Sequence, residues 1–148
     1  MKTILMTAME ASISEVMETM FFLPVEFGRE ATLAQCKMDK KNNLVCRLVF
    51  TGDASGSLIL MAPEILAAEM AENFMGEVSE NLTQDHLSGT LTEMLNMVCG
   101  NALSKTKSKV PFELGIPEMM DPSEISEKQV FTIVETTESK MAITIIMD

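Results

Sequence analysis

The apolar positions of the first segment recur at the spacing of one helical face, which is typical of an amphipathic helix. The predicted helix begins at Thr3 and runs to about Phe22, just before Pro24. Its carboxylates Glu15 and Glu18 fall away from the apolar side. We therefore expect a buried stripe made of Met9, Ile13, Val16, Met17 and Met20.

Three β-rich runs follow, and two turn-forming stretches separate them. The runs occupy residues 31–38, 44–50 and 56–62, with turns at 39-DKKNN-43 and 51-TGDASG-56. They predict an antiparallel meander. Pro63, in a first-turn position, and Glu64 then open a short second helix, which Gly76 is suited to end.

A longer helical pattern begins after Thr83, whose side chain is suited to cap the helix, with Asp85 in the first turn. Three further strands are predicted after it, at residues 112–116, 129–136 and 140–147, the last two joined by a turn at 137–139. Basic residues are expected at the end of this third helix; they are Lys105, Lys107 and Lys109.

The order of elements reads as one unit used twice, because a helix and three strands recur in the second half. In the two long helices 13-ISEVMETM-20 aligns with 91-LTEMLNMV-98, so that Glu15 matches Glu93 and Glu18 matches Asn96. We predict a single α+β domain over residues 1–148, with an internal repeat at about 3–76 and 83–148. Its sheet should be rich in antiparallel pairs, with the long helices packed on one face. A bare opposite face or an open edge strand would suit a homodimer.

The charge of the chain excludes several kinds of partner. With a formal net charge of −11 and only 11 Lys and Arg among 148 residues, it has no basic surface for nucleic acid or for an anionic membrane. Glu10 interrupts the apolar start of the chain, and no segment has the length of a membrane span. We expect a cytoplasmic protein.

The cysteines and the single histidine do not form a metal-binding pattern. Cys36 and Cys46 would face each other if 39–43 were a hairpin tip, which would allow a cross-strand disulfide. Buried free thiols, with Cys99 among them, are the favoured interpretation. His86 lies in the first turn of the third helix, where a surface role is expected.

The third helix carries the residues with chemical interest. Its buried stripe should hold Leu87, Leu91, Met94, Leu95, Val98 and Ala102. Gly89, Glu93, Asn96 and Gly100 fall within roughly 40–60° on the opposite face. Two glycines inside a helix cost about 1 kcal/mol each relative to alanine, so a partner is expected to approach this backbone closely. The alternative is a merely solvated face, with Gly89 a local irregularity and Gly100 a helix crossing.

The segment 93-EMLNMVCGNALSK-105 resembles the Glu-x-x-Asn helix of the CheC/CheX/FliY family of chemotaxis phosphatases, in which a Gly-Asn pair follows. The opening helix, with 15-EVMETMFF-22, is most similar to the CheX branch. CheX-like proteins carry one such site and CheC-like proteins can carry two. Glu18, in place of an asparagine, fits the branch with one site.

The resemblance implies that the chain dephosphorylates the aspartyl phosphate of a CheY-like response regulator, in chemotaxis or related two-component signalling. In that role Asn96 would hold the attacking water and Glu93 would meet a lysine of the receiver. Gly89 and Gly100 would allow close docking, and Gly100 and Asn101 are either docking or structural residues. The receiver would hold Mg²⁺, and this chain is expected to bind no metal or other cofactor.

Two other functions stay open. The first is a non-catalytic module that binds a response regulator, like relatives in the flagellar switch. The second is an enzyme that acts on small phosphates by itself. The second is weak, because the chain lacks a glycine-rich phosphate loop and a convincing nucleophile and base pair.

Overall fold

In the described part of the chain, three α-helices lie on one face of a seven-stranded sheet in which every pairing is antiparallel. The structure is a computed structural model that describes residues 2–106 and 110–148. The helices are α1 (Lys2–Met20), α2 (Glu64–Met75) and α3 (Gln84–Lys105). The strands are β1 (Glu26–Ala31), β2 (Asn43–Thr51), β3 (Gly56–Pro63), β4 (Glu113–Leu114), β5 (Glu118–Met120), β6 (Phe131–Glu135) and β7 (Lys140–Met147).

The strand order is β1-β6-β7-β3-β2, and β4 and β5 follow one another along the free edge of β2. The first strand of each half therefore pairs with the second strand of the other half, around the central pair of β3 and β7. From either edge the sheet runs through a first, a second and a third strand of the two halves, and this symmetry confirms the predicted fold class. The boundaries of the internal repeat, about 3–76 and 83–148, stay a prediction.

The main core lies between the helices and the sheet. Alternate residues of β2 from Leu44 to Phe50 face the helices, as expected of a strand with one face toward each side. The stripe predicted on α3 is buried at all six positions. On α1 the stripe is buried from Met9 to Met17, but Met20 is 39% exposed because it is the last residue of the helix.

The strand predicted at residues 31–38 is wrong beyond Ala31. Thr32 and Gln35 bond reciprocally, since each side chain accepts the other's backbone N–H. The Cys36 N–H donates to the Thr32 carbonyl at 3.1 Å, so the backbone closes a local turn in place of a sheet ladder. The turn covers part of the second face of the sheet, and therefore that face is not bare throughout; the buried members of the turn are Leu33, Cys36 and Met38.

The strand pairing also shows whether Cys36 and Cys46 can form a disulfide. Since β1 pairs with β6 and not with β2, residues 39–43 do not form a hairpin tip. Cys46 belongs to the core under the helices, whereas Cys36 packs on the opposite face of the sheet. A Cys36–Cys46 disulfide is therefore excluded, and the prediction of three buried free thiols is confirmed.

The helix ends follow the predicted signals with small shifts. Pro63 is the N-cap of α2 and not a first-turn residue, while Gly76 ends that helix with a φ of 71° and donates its N–H to the Glu72 carbonyl at 2.8 Å. Thr83 caps α3 in a reciprocal box, in which His86 donates its N–H to Thr83 Oγ1 and accepts from the Thr83 N–H at Nδ1. The predicted Lys105 lies in the last turn of α3, whereas Lys107 and Lys109 lie outside the described residues.

The strands of the second half are shorter than predicted, apart from β7, which has the predicted bounds. The run at 112–116 is a strand only at Glu113–Leu114, after which Gly115 bonds to the Val49 carbonyl. Pro117, which has no N–H to donate, separates it from β5, a strand that the sequence did not predict. Across the part of the chain that the structure describes, no helix is long and apolar enough to cross a membrane.

Candidate functional site

The packing of α3 turns Glu93 and Asn96 outward. Leu91 and Leu95 are fully buried beneath the helix, and Glu93 and Asn96 lie on its exposed side. Among the described residues, neither side chain makes a hydrogen bond or an ion pair with another. Positions three apart on a helix are neighbours, with roughly 5–6 Å between their Cβ atoms. One carboxylate and one amide are therefore presented together, without a partner among the described residues.

The two glycines of this helix have different surroundings. Gly89 is exposed, and a Cβ added to it would meet nothing within 4 Å. Gly100 is half-buried, and its added Cβ would lie 3.8 Å from Leu114 Cδ1 on the edge strand β4. Gly100 also lines a groove of about 390 Å³ with Leu103 and Phe112. Of the two glycines, Gly89 is the one that leaves the backbone of α3 open to a partner beside Glu93.

Asn101 makes a contact within the chain. Its Nδ2 donates to Glu15 Oε2 at 3.0 Å, and Lys105 Nζ reaches the same oxygen at 3.0 Å. The hydrogen bond from Lys105, followed by that from Asn101, lowers the pKa of the Glu15 carboxyl from its usual value. This arrangement ties α1 to α3 at the surface. The contact between Lys105 and Glu15 was not predicted from the sequence. An acidic residue on one long helix and a basic residue on the other is the signal that would have indicated it.

The corresponding pair on α1 offers a different surface. Glu15, which aligns with Glu93, is held by Asn101 and Lys105, while Glu18 is exposed in the place of Asn96. A carboxylate accepts hydrogen bonds only, whereas an amide both donates and accepts. The first helix therefore presents a carboxylate held by α3 at the position of Glu93, and no amide at the position of Asn96.

The described residues contain no group of three or more His, Cys, Asp or Glu placed to hold a metal ion. The lone His86 serves in the cap of α3, as its predicted surface role allows. A cleft of about 530 Å³ is lined by Lys37, Asn43 and Lys140, among others, and includes none of the predicted site residues. Glu93 and Asn96 thus lie on an open helix surface, which suits a protein partner better than a small ligand.

Comparison with known proteins supplies independent findings. The family model described as chemotaxis phosphatase CheX matches residues 44–141, a range that includes Gly89, Glu93, Asn96 and Gly100. The comparison with curated proteins finds no match.

Solved structures with the same fold cover nearly the whole chain. The CheX protein of Vibrio vulnificus is 19% identical, with a TM-score of 0.77 over 97% of this chain and 96% of that one. A CheX-CheY-BeF3-Mg²⁺ complex from Borrelia burgdorferi gives 16% identity and a TM-score of 0.77, with 96% of each chain covered. FliY of Thermotoga maritima is 18% identical, with a TM-score of 0.60 over 95% of this chain and 84% of that one. At these identities the likeness concerns the fold.

Proposed function

The chain belongs to the chemotaxis phosphatase CheX family, and from that premise we propose that it accelerates hydrolysis of the aspartyl phosphate of a CheY-like response regulator. One observation carries the proposal. Glu93 and Asn96 stand one helical turn apart on an exposed face, and neither is engaged by another described residue. Both side chains are exposed and unengaged, and they are therefore available to enter another protein's site.

Asn96 is assigned to hold the attacking water. Hydrolysis of a phosphoryl group runs through a loose, in-line transition state, so the catalyst mainly positions water and balances charge. The amide oxygen accepts a hydrogen bond from the water while the amide N–H groups donate to a phosphoryl oxygen. Since a strong base is not required, an uncharged side chain suffices.

Glu93 is assigned to dock and orient the receiver. Its free carboxylate pairs with a cation on the partner, for which a lysine beside the phosphoryl group is the expected partner. Gly89, one turn before Glu93 and open to solvent, lets the partner's backbone approach the helix. Gly100 and Asn101 are assigned structural roles, because Gly100 faces Leu114 and Asn101 bonds to Glu15.

The divalent cation belongs to the partner in this proposal. Mg²⁺ on the receiver's acidic residues neutralises phosphoryl charge, and this chain contributes the amide and the carboxylate. A response-regulator substrate implies a cytoplasmic protein. We also expect a homodimer, for which the sheet offers two edges, that of β1 and that formed by β4 and β5.

The decisive experiment follows the decay of a phosphorylated CheY-like receiver with Mg²⁺, alone, with the wild type and with Asn96→Ala. We expect the variant to lose roughly 10²- to 10³-fold of the acceleration, the usual effect of removing one positioned hydrogen-bonding group. Binding should survive, and so should the fold, because the Asn96 side chain is exposed.

Asn101→Ala is the matched control on the same helix. It removes an amide that bonds within the chain, so the acceleration should persist. An Asn96→Ala variant as active as the wild type would refute the assignment. Binding without any acceleration by the wild type would favour a non-catalytic module that binds a response regulator.

A further inference from the structure

A second surface of the helix layer is unusual for an acidic chain. Five large apolar side chains are exposed where the end of α1 meets the end of α2, with exposed fractions from 39% to 66%. Contiguous apolar surfaces of this kind mark interaction sites more often than isolated exposed residues do. We call this surface the apolar patch; it consists of Met20, Phe22, Phe74, Met75 and Val78.

The patch is held in a fixed shape. The buried ring of Phe21 lies 5.3 Å from the ring of Phe74, centroid to centroid. Asn73 Nδ2 donates to the Phe21 carbonyl oxygen at 2.8 Å. This hydrogen bond links the end of α2 to the backbone that follows α1. Phe22 and Phe74 are therefore presented on a packed support and not on a loose loop.

Phe22 is the most exposed member, at 66%, and its backbone is strained. Its φ of 57° lies in the left-handed region, which a bulky side chain rarely adopts. The ring points to solvent, so its burial within this chain does not offset the strain. Strained backbone clusters at binding and catalytic positions, and aromatic side chains are the commonest anchors of protein interfaces.

Charge around the patch has one sign. The sequence has no Lys or Arg between Lys2 and Arg29, and none between Arg47 and Lys105. The helix layer is consequently acidic except at the first residue of α1 and the last residue of α3. Acidic residues flank the patch along the chain, and they include Glu18, Glu72, Glu77 and Glu80.

We propose that the apolar patch anchors the same receiver that Glu93 and Asn96 act upon, through a receiver surface of apolar side chains bordered by Lys or Arg. This inference rests on the proposed function. The patch leads through residues 76–83 into α3, and α2 packs on α3. Thr83 and Glu93 are about 15 Å apart along the helix axis. One interface of about 800 Å² per partner is large enough to cover both the patch and the site.

The apolar patch also explains how an acidic chain binds the proposed receiver. An acidic helix layer repels a partner of like charge, and one carboxylate and one amide bury little surface. Apolar burial supplies affinity that does not depend on net charge. The patch thus binds the receiver, while Glu93 and Asn96 perform the chemistry.

The test is Phe22→Asn, since asparagine accepts a left-handed φ that phenylalanine resists. Binding is measured to the receiver in its Mg²⁺–BeF₃⁻ form, and phosphatase kinetics to the phosphorylated receiver. We expect Kd and KM to rise at least tenfold, kcat to stay unchanged, and the melting temperature to equal or exceed that of the wild type. Ile4→Asn, at a 59% exposed position in the first turn of α1, is the control and should change neither Kd nor KM.

The outcomes separate this inference from the proposed activity. Binding by Phe22→Asn at wild-type strength overturns the inference, and so does a loss of self-association in place of receiver binding, which sedimentation would detect. If the wild type binds the receiver without accelerating decay and Phe22→Asn binds weakly, the proposed activity is refuted and the role of the apolar patch is supported. A wild type that binds no receiver refutes both the proposed activity and the role of the apolar patch. Weaker binding as NaCl rises from about 0.05 to 0.5 M supports the basic border, and stronger binding contradicts it.

Discussion

Gly89→Ala tests whether a partner approaches the backbone of α3. Alanine is more favourable than glycine inside a helix by about 1 kcal/mol. A Cβ at this position would meet nothing within 4 Å, so neither a clash nor a new contact alters that figure. For a chain of 148 residues the gain corresponds to a melting temperature roughly 2–4 °C higher. The free energy of unfolding should therefore rise by about 1 kcal/mol.

The effect on activity should have the opposite sign. If the receiver's backbone packs against Gly89, an added methyl group overpacks the interface by about 1–3 kcal/mol. The corresponding loss in kcat/KM is roughly 5- to 150-fold. Gly100→Ala is the matched control, because its Cβ would make only an ordinary contact with Leu114, at 3.8 Å. That variant should gain similar stability and keep full activity.

Chemical denaturation gives the stability of both variants, and decay of the phosphorylated receiver gives kcat/KM. A Gly89→Ala variant that is both more stable and fully active would refute the close approach, and Gly89 would then be a local irregularity of the helix. Equal losses of activity in the two variants would instead indicate a general response of α3 to helix stabilisation.

Two further predictions concern side chains outside the proposed site. Glu15→Ala and Glu18→Ala should leave phosphatase activity nearly intact, because Lys105 already binds the Glu15 carboxylate; a large loss of receiver dephosphorylation in either would show that α1 takes part. Burial raises the pKa of Cys46 and Cys99 to about 12, so at pH 8 their thiolate fraction is roughly 10⁻⁴. A disulfide reagent should label them about a thousandfold more slowly in the native protein than in urea, and rapid native labelling of either would contradict their burial.

The helices could be predicted from the sequence because their signals are local. The stripe on α3 repeats with the helical period, and Thr83 and Gly76 carry capping signals that act within one turn. The outward position of Glu93 and Asn96 followed from the same periodicity. The side chains that one helix face exposes are therefore predictable wherever the buried face is clear.

The errors occurred where distant partners or local polar bonds decide the structure. Residues 31–38 have the composition of a strand, yet the reciprocal bonds of Thr32 and Gln35 close a turn that then packs on the sheet. The pairing of β1 with β6 joins segments about a hundred residues apart, and no periodic pattern encodes such a partner. The apolar patch was missed for the same reason, because it exists only where the ends of α1 and α2 meet.

The predicted repeat gives a physical reason for a single site. Glu15 is engaged because Asn101 and Lys105 of α3 reach it. At the offset that aligns Glu15 with Glu93, the positions of Asn101 and Lys105 fall on Leu23 and Phe27, which lie beyond the end of α1 at Met20 and have apolar side chains. The cross-helix clamp therefore forms on one side only. Among the described residues no such donor reaches Glu93, and its carboxylate is therefore available to the lysine of the proposed receiver.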